Sequence, residues 1–290
     1  MMDRYEYLSI YQRMNRGCLY EENAGIGFFR AKQLKNMPGV EHGFTSRQGG
    51  VSPKPCDSLH LNFKKPHDLA LVKENFSRFA SAAGIDYQSM VVVSYEHGTN
   101  ALKLDSKDAG RGFDKEPLDN CDGIITDSPA LTLITNHADC GAFFIFDPVK
   151  KAVGLAHSGW KGTLGGIGAN VVKLMQQCYG SNPGDMIAST GPAICKNCYE
   201  VDEPLANRFD DRFGRGVCTR PGREGHAWLD LEAAQAIQLV EAGLKCENIT
   251  LMEKCTFEDE KHLFSHRRDT PRFGGTGDMA AYIRIVAEDA

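Results

Sequence analysis

The chain has 290 residues, 42% hydrophobic and 24% charged, enough for one large α/β domain or two small ones. Its net charge of -5 argues against a nucleic-acid binder, which usually carries a basic face. No apolar run approaches the roughly 18 residues that span a bilayer, and the N-terminal MMDRYEYLSIYQ has no signal-peptide core, so a cytoplasmic protein with no membrane partner is expected.

Residues 1–24 are polar and aromatic with weak periodicity, and read as an N-terminal arm that can supply an edge strand or hairpin. Residues 25–290 read as one catalytic domain, because no linker is long or polar enough to divide them. Thr45-Ser46-Arg47-Gln48-Gly49-Gly50-Val51-Ser52-Pro53 is a sharp loop, marked by paired glycines and a proline. Leu71 to Ala83 has Val72, Phe76 and Phe79 on one helical face and stops at Gly84. Met90 to Tyr95 is a buried strand that runs into His97-Gly98.

Short apolar strands follow at Gly123–Thr126, Leu131–Thr135, Ala142–Phe146 and Ala152–Ala156. The last runs into His157-Ser158-Gly159-Trp160-Lys161-Gly162-Thr163, and a helix is expected from Leu164 to about Gln177. Met186–Thr190 reads as a strand before Gly191-Pro192. Leu231 to Ala242 reads as a helix capped by Asp230 and stopped by Gly243. Ile249–Met252 and Ala281–Val286 are late strands. Interleaved helices with closely spaced strands predict an α/β fold with a mixed sheet flanked by helices.

His97 and His157 sit at or just past predicted strand ends, where α/β folds bind ligands. Cys140 lies in the polar turn Asn136-His137-Ala138-Asp139-Cys140-Gly141. Two imidazoles and a thiolate suit zinc, and three protein ligands leave a fourth position open, the catalytic pattern. A metal-free reading competes: Cys140 as a thiol nucleophile with a histidine base that Asp139 orients. Cys195-Lys196-Asn197-Cys198 is a CxxC pair that is either redox-active or metal-binding; without a second CxxC it does not make a four-cysteine ribbon. Its echo of the nucleobase-deaminase signature fails, because the acid is Asp139 and Pro192 is not adjacent to Cys195.

Candidate substrate contacts are Ser46, Arg47, Trp160 and Lys161. Arg47 matches a phosphate or carboxylate in geometry. The turn around Lys161 can offer amides to an anion but lacks P-loop spacing, and tight packing under Trp160 explains its glycines better. Arg268 beside Asp269 reads as an Asp-paired surface turn.

These segments together resemble the YfiH-like family, also described as polyphenol oxidoreductase laccase and as purine nucleoside phosphorylase. The matching pieces, in order, are Gly43–Ser52, His97-Gly98, Ala138-Asp139-Cys140, His157–Thr163, Gly191–Ile194 with Cys198–Val201, and Phe264–Asp269. The resemblance implies one domain of layered mixed sheets and helices, with zinc held by His97, Cys140 and His157. It implies phosphorolysis of adenosine, inosine and methylthioadenosine and hydrolytic deamination of adenosine. For the deamination, Asp139 or a nearby acid is expected to shuttle protons. The laccase description implies copper and phenol oxidation, and a His/His/Cys set binds either metal. Other implied alternatives are a Cys–His hydrolase acting on an amide or cell-wall peptide. The chain departs from the family pattern at Glu96, Asn136-His137, Ser158 and His266, which bears on substrate choice.

Overall fold

The central strands are apolar on both faces because both faces are covered. The computed structural model describes residues 3–64 and 68–287; residues 1–2 of the expected arm, and 65–67 and 288–290 of the expected domain, lie outside the described residues. Two seven-stranded mixed sheets pack face to face. The first runs, edge to edge, Asn15–Arg16, Ile249–Leu251, Ile187–Thr190, Gly141–Asp147, Ala152–Ser158, Gly123–Thr126, Ala101–Lys103. The second runs Cys18–Asn23, Ile26–Ala31, Val40–Thr45, Met279–Ile285, Thr132–His137, Met90–Ser94, Leu118–Asp119.

Side chains alternate across a strand, so each strand feeds two cores. In Gly141–Asp147, Phe144 and Phe146 point between the sheets, while Phe143 and Ile145 point outward under helices. Val91 and Val93 face the inter-sheet core, and Met90 and Val92 face the opposite side. The helix Ile167–Tyr179 covers the first sheet with Val171, Val172 and Met175, joined there by Ala236 and Leu239 of the helix Leu231–Glu241. The helix Leu69–Ala83 covers the second with Val72, Phe76 and Phe79. The order is therefore helices, sheet, sheet, helix, the layered mixed α/β arrangement expected.

Four segments differ from the sequence reading. Arg4–Arg13 is a helix capped by Asp3; its apolar stripe, Tyr7, Ile10 and Tyr11, is too weak to read from sequence. The helix expected from Leu164 is split: Trp160–Gly165 ends at Gly166, whose φ of +85° breaks it before Ile167. Residues 200–229 form a small sheet (Glu200–Asp202, His226–Leu229, Thr219–Pro221) and the helix Glu203–Phe213. His266–Phe273 is a helix, and Arg268 is buried within it rather than on a surface turn. Among the described residues no helix is long and apolar enough to cross a membrane.

Candidate metal centre

The chain leaves the second sheet at His137 and enters the first at Gly141, and Cys140 occupies that crossover. His157 stands near the end of the neighbouring strand of the first sheet, paired with Ala142. His97 follows the strand Met90–Ser94 of the second sheet. Three strand ends therefore converge, and the candidate ligand atoms of His97, Cys140 and His157 lie within 4.8 Å of one another. His157 is buried, Cys140 half-buried and His97 exposed, so the open side of the group is at His97.

The centre is held by residues the sequence did not flag. Asp122 is fully buried, and its Oδ1 accepts a hydrogen bond from His157 Nδ1 at 3.1 Å. That bond leaves the His157 lone pair on Nε2, the usual arrangement for a ligating histidine backed by a carboxylate. Asp122 Oδ2 accepts from the backbone N–H of Glu96 (3.1 Å) and Gly98 (2.8 Å), gripping the chain on both sides of His97. His97 has φ of +59°, a conformation that costs about 1–2 kcal/mol in an L-residue, and these bonds hold it there. Burial pushes the Asp122 carboxyl up, but the bonds from His157, Gly98 and Glu96 outweigh it and keep it below its ordinary value. Nothing in the sequence ties Asp122 to His157, 35 residues away.

Tyr95 stacks on His157 with ring centroids 4.2 Å apart and meets His97 edge-on at 5.1 Å. His137 is buried, its Nδ1 hydrogen-bonding the Cys140 carbonyl at 3.1 Å and its Nε2 facing Thr135 Oγ1 at 2.7 Å. Burial, then the neighbouring His157, drives its pKa well down and keeps it neutral. Gly159 completes the cradle: a Cβ there would come within 2.8 Å of Cys140 Sγ and 3.3 Å of His97 Cδ2. The donor set fits zinc, whose bonds of about 2.0–2.3 Å in a tetrahedron put donors roughly 3.5 Å apart.

Asp139, with φ of +80°, uses both carboxylate oxygens locally. Oδ1 accepts from Thr256 Oγ1 at 2.6 Å and Oδ2 from the Arg267 N–H at 2.7 Å. The other sequence candidates scatter. Ser46 is buried, its Oγ accepting from the N–H of Gly27 (3.1 Å) and Gln48 (3.3 Å). Arg47 lies over Phe264 and is held by Asp57, in a cleft whose lining includes Lys54 and Lys261 but none of the three ligands. Trp160 packs toward the small sheet, with Arg208 and Lys161 over its ring, while Lys161 stays within electrostatic reach of His97. A cleft of about 460 Å³, lined by Asn62, Phe63, Lys64, Phe113 and Asn136, adjoins Tyr95 through the Asn62 to Tyr95 Oη hydrogen bond.

A two-sheet α/β sandwich with a His/Cys/His cluster at the sheet crossover defines the class. The chain belongs to the family described as multi-copper polyphenol oxidoreductase laccase, which it matches over residues 41–286. It is 34% identical over 256 residues to a Bacillus subtilis protein named purine nucleoside phosphorylase YlmD, covering 87% of this chain and 91% of that one. The crystal structure of YlmD from Geobacillus stearothermophilus superposes with a TM-score of 0.85 at 31% identity, over 93% of this chain and 100% of the other. That of the Bacillus licheniformis hypothetical protein YfiH gives 0.84 at 30% identity, over 92% and 99%.

Proposed function

We propose that this chain is a zinc-dependent purine nucleoside enzyme that phosphorolyses adenosine, inosine and methylthioadenosine and deaminates adenosine. The observation that carries the reading is the convergence of His97, Cys140 and His157 with one side open at His97. The names of the relatives support the substrate class. His97, Cys140 and His157 would hold the metal, which when bound supplies a Lewis acid for charge developing on the substrate.

The chain's own residues do the rest. Asp122 fixes the His157 tautomer and the His97 backbone. Tyr95 stacks on His157 and meets His97 edge-on, walling one side of the pair. Asp139 holds the Cys140 turn through Thr256 and Arg267, a positioning role. In phosphorolysis a phosphate oxygen bonds to the ribose anomeric carbon as the C–N bond breaks. The electron pair leaves on the base nitrogen, which takes up a proton. Lys161, within electrostatic reach of His97, is a cation for the phosphate; Arg47 is a second candidate for the same task, from its own cleft. In deamination water adds to the purine carbon that bears the amino group and ammonia leaves.

The metal-free Cys–His hydrolase is disfavoured. Burial, with Asp139, Asp278 and Asp122 nearby, pushes the Cys140 thiol up to about 12, far from a ready thiolate. A single His/His/Cys group also matches one copper site, so metal identity is tested directly. The test is release of free base from adenosine and inosine, with and without phosphate, by wild type and Cys140→Ala. Phosphate-dependent release by the wild type alone supports the reading. Equal rates in both proteins contradict it, and phenol oxidation by a copper-loaded protein favours the laccase description.

A further inference from the structure

We propose that the chain carries a second metal site, a structural zinc bound by Cys195, Cys198, Cys255 and Glu258. The sequence shows the CxxC half plainly. Its partner is a CxxE pair, Cys255-Thr256-Phe257-Glu258, that the fold brings back from some 60 residues away. The three Sγ atoms and a Glu258 carboxylate oxygen all lie within 4.8 Å of one another. Zinc with bonds of about 2.0–2.3 Å needs donors roughly 3.3–3.8 Å apart, so a contraction of about an ångström closes the site. Two knuckles of ligands spaced by two residues, on two loops, is the arrangement of structural zinc sites.

The loops are built to hold those ligands. Cys195 O accepts from the N–H of Cys198 (2.9 Å) and Tyr199 (3.0 Å), which closes the first knuckle into a turn. Cys195 N–H points at Cys255 Sγ at 3.4 Å. Glu258 Oε1 faces Cys195 Sγ at 3.5 Å and Cys198 Sγ at 3.4 Å, so the carboxylate already aims into the group. The second knuckle is braced by Arg268, whose guanidinium donates to the carbonyls of Thr256 (2.8 Å) and Phe257 (2.9 Å) and pairs with Asp269. A Cys195–Cys198 disulfide would use two of three thiols and leave Cys255 and Glu258 converging on nothing. Four protein ligands fill a tetrahedron, so this site is closed where the first is open.

Its position gives it a task. The two loops meet at a bridge in which Ala193 N–H donates to Lys254 O and Thr256 N–H to Ala193 O, both 3.1 Å. Both also grip Asp139: Ile194 N–H donates to its carbonyl at 3.0 Å, and Thr256 Oγ1 to its carboxylate. Clamping the loops with a metal therefore fixes the turn that presents Cys140.

Zinc is counted per chain by mass spectrometry in the intact wild type, Cys140→Ala, Cys198→Ala and Glu258→Gln. The proposal expects Cys140→Ala to retain one equivalent and Cys198→Ala to have one fewer than wild type. Glu258→Gln, an exposed change that spares folding, should lose this zinc at least tenfold faster to a chelator. Cobalt replacing zinc in Cys140→Ala should give the intense charge-transfer absorption of three thiolates. If Cys140→Ala holds no zinc and shows no such band, or if the purified protein carries a Cys195–Cys198 disulfide, the proposal fails. A wild type with one zinc that only Cys198→Ala removes would uphold this site and sink the reading of the first.

Discussion

The two clusters of soft ligands are built in opposite ways. His97, Cys140 and His157 come from the ends of strands in two packed sheets, with one exposed member and, among the described residues, no fourth candidate ligand grouped with them. Cys195, Cys198, Cys255 and Glu258 come from two loops and close on themselves. The first is held by a buried carboxylate and a glycine without room for a Cβ. The second is held by a buried arginine on backbone carbonyls. Strand ends around an open position suit chemistry; loops around a full set of ligands suit cross-linking.

The largest expected separation comes from Cys140→Ala. It should lower kcat/KM for nucleosides at least about a thousandfold, about 4 kcal/mol of barrier. Its melting temperature should stay within a few degrees of wild type. Cys255→Ser should do the reverse, costing on the order of 3 kcal/mol of stability in thermal unfolding, with a kcat/KM loss of less than about tenfold. If Cys255→Ser abolished turnover while leaving stability intact, the division of labour would be wrong. Asp122→Asn comes next. It keeps the size of the side chain but weakens the grip on His157, and should cost about 10–100-fold in metal affinity or activity. Titration of metal back into the stripped variant checks this, and unchanged affinity would remove Asp122 from the account.

Much of the frame was legible because the strands are apolar runs of the right length with turn residues between them. The alternation of Phe143 and Ile145 against Phe144 and Phe146 hides in such a run, since both faces are buried. Arg4–Arg13 was missed because its apolar stripe is weak, and the break at Gly166 because the glycine sits inside a good helical pattern. At the first cluster the three candidate residues were visible as residues after strands, but Asp122 and Tyr95 were not, since their contacts depend on the sheets meeting. At the second, the CxxC was visible and its partner was not. Half of that partner is a glutamate, and it comes near only in the fold, where the Ala193–Cys255 bridge joins the two loops. Arg268 reads as a surface charge until the fold buries it against Asp269.

The most direct test of the open centre is anomalous X-ray diffraction from crystals of the intact protein, at the zinc and copper edges. The account predicts a zinc peak bonded to His97, Cys140 and His157, with its remaining position taken by a non-protein ligand. A copper peak there, a fourth protein ligand closing the site, or no metal among these three side chains would contradict it.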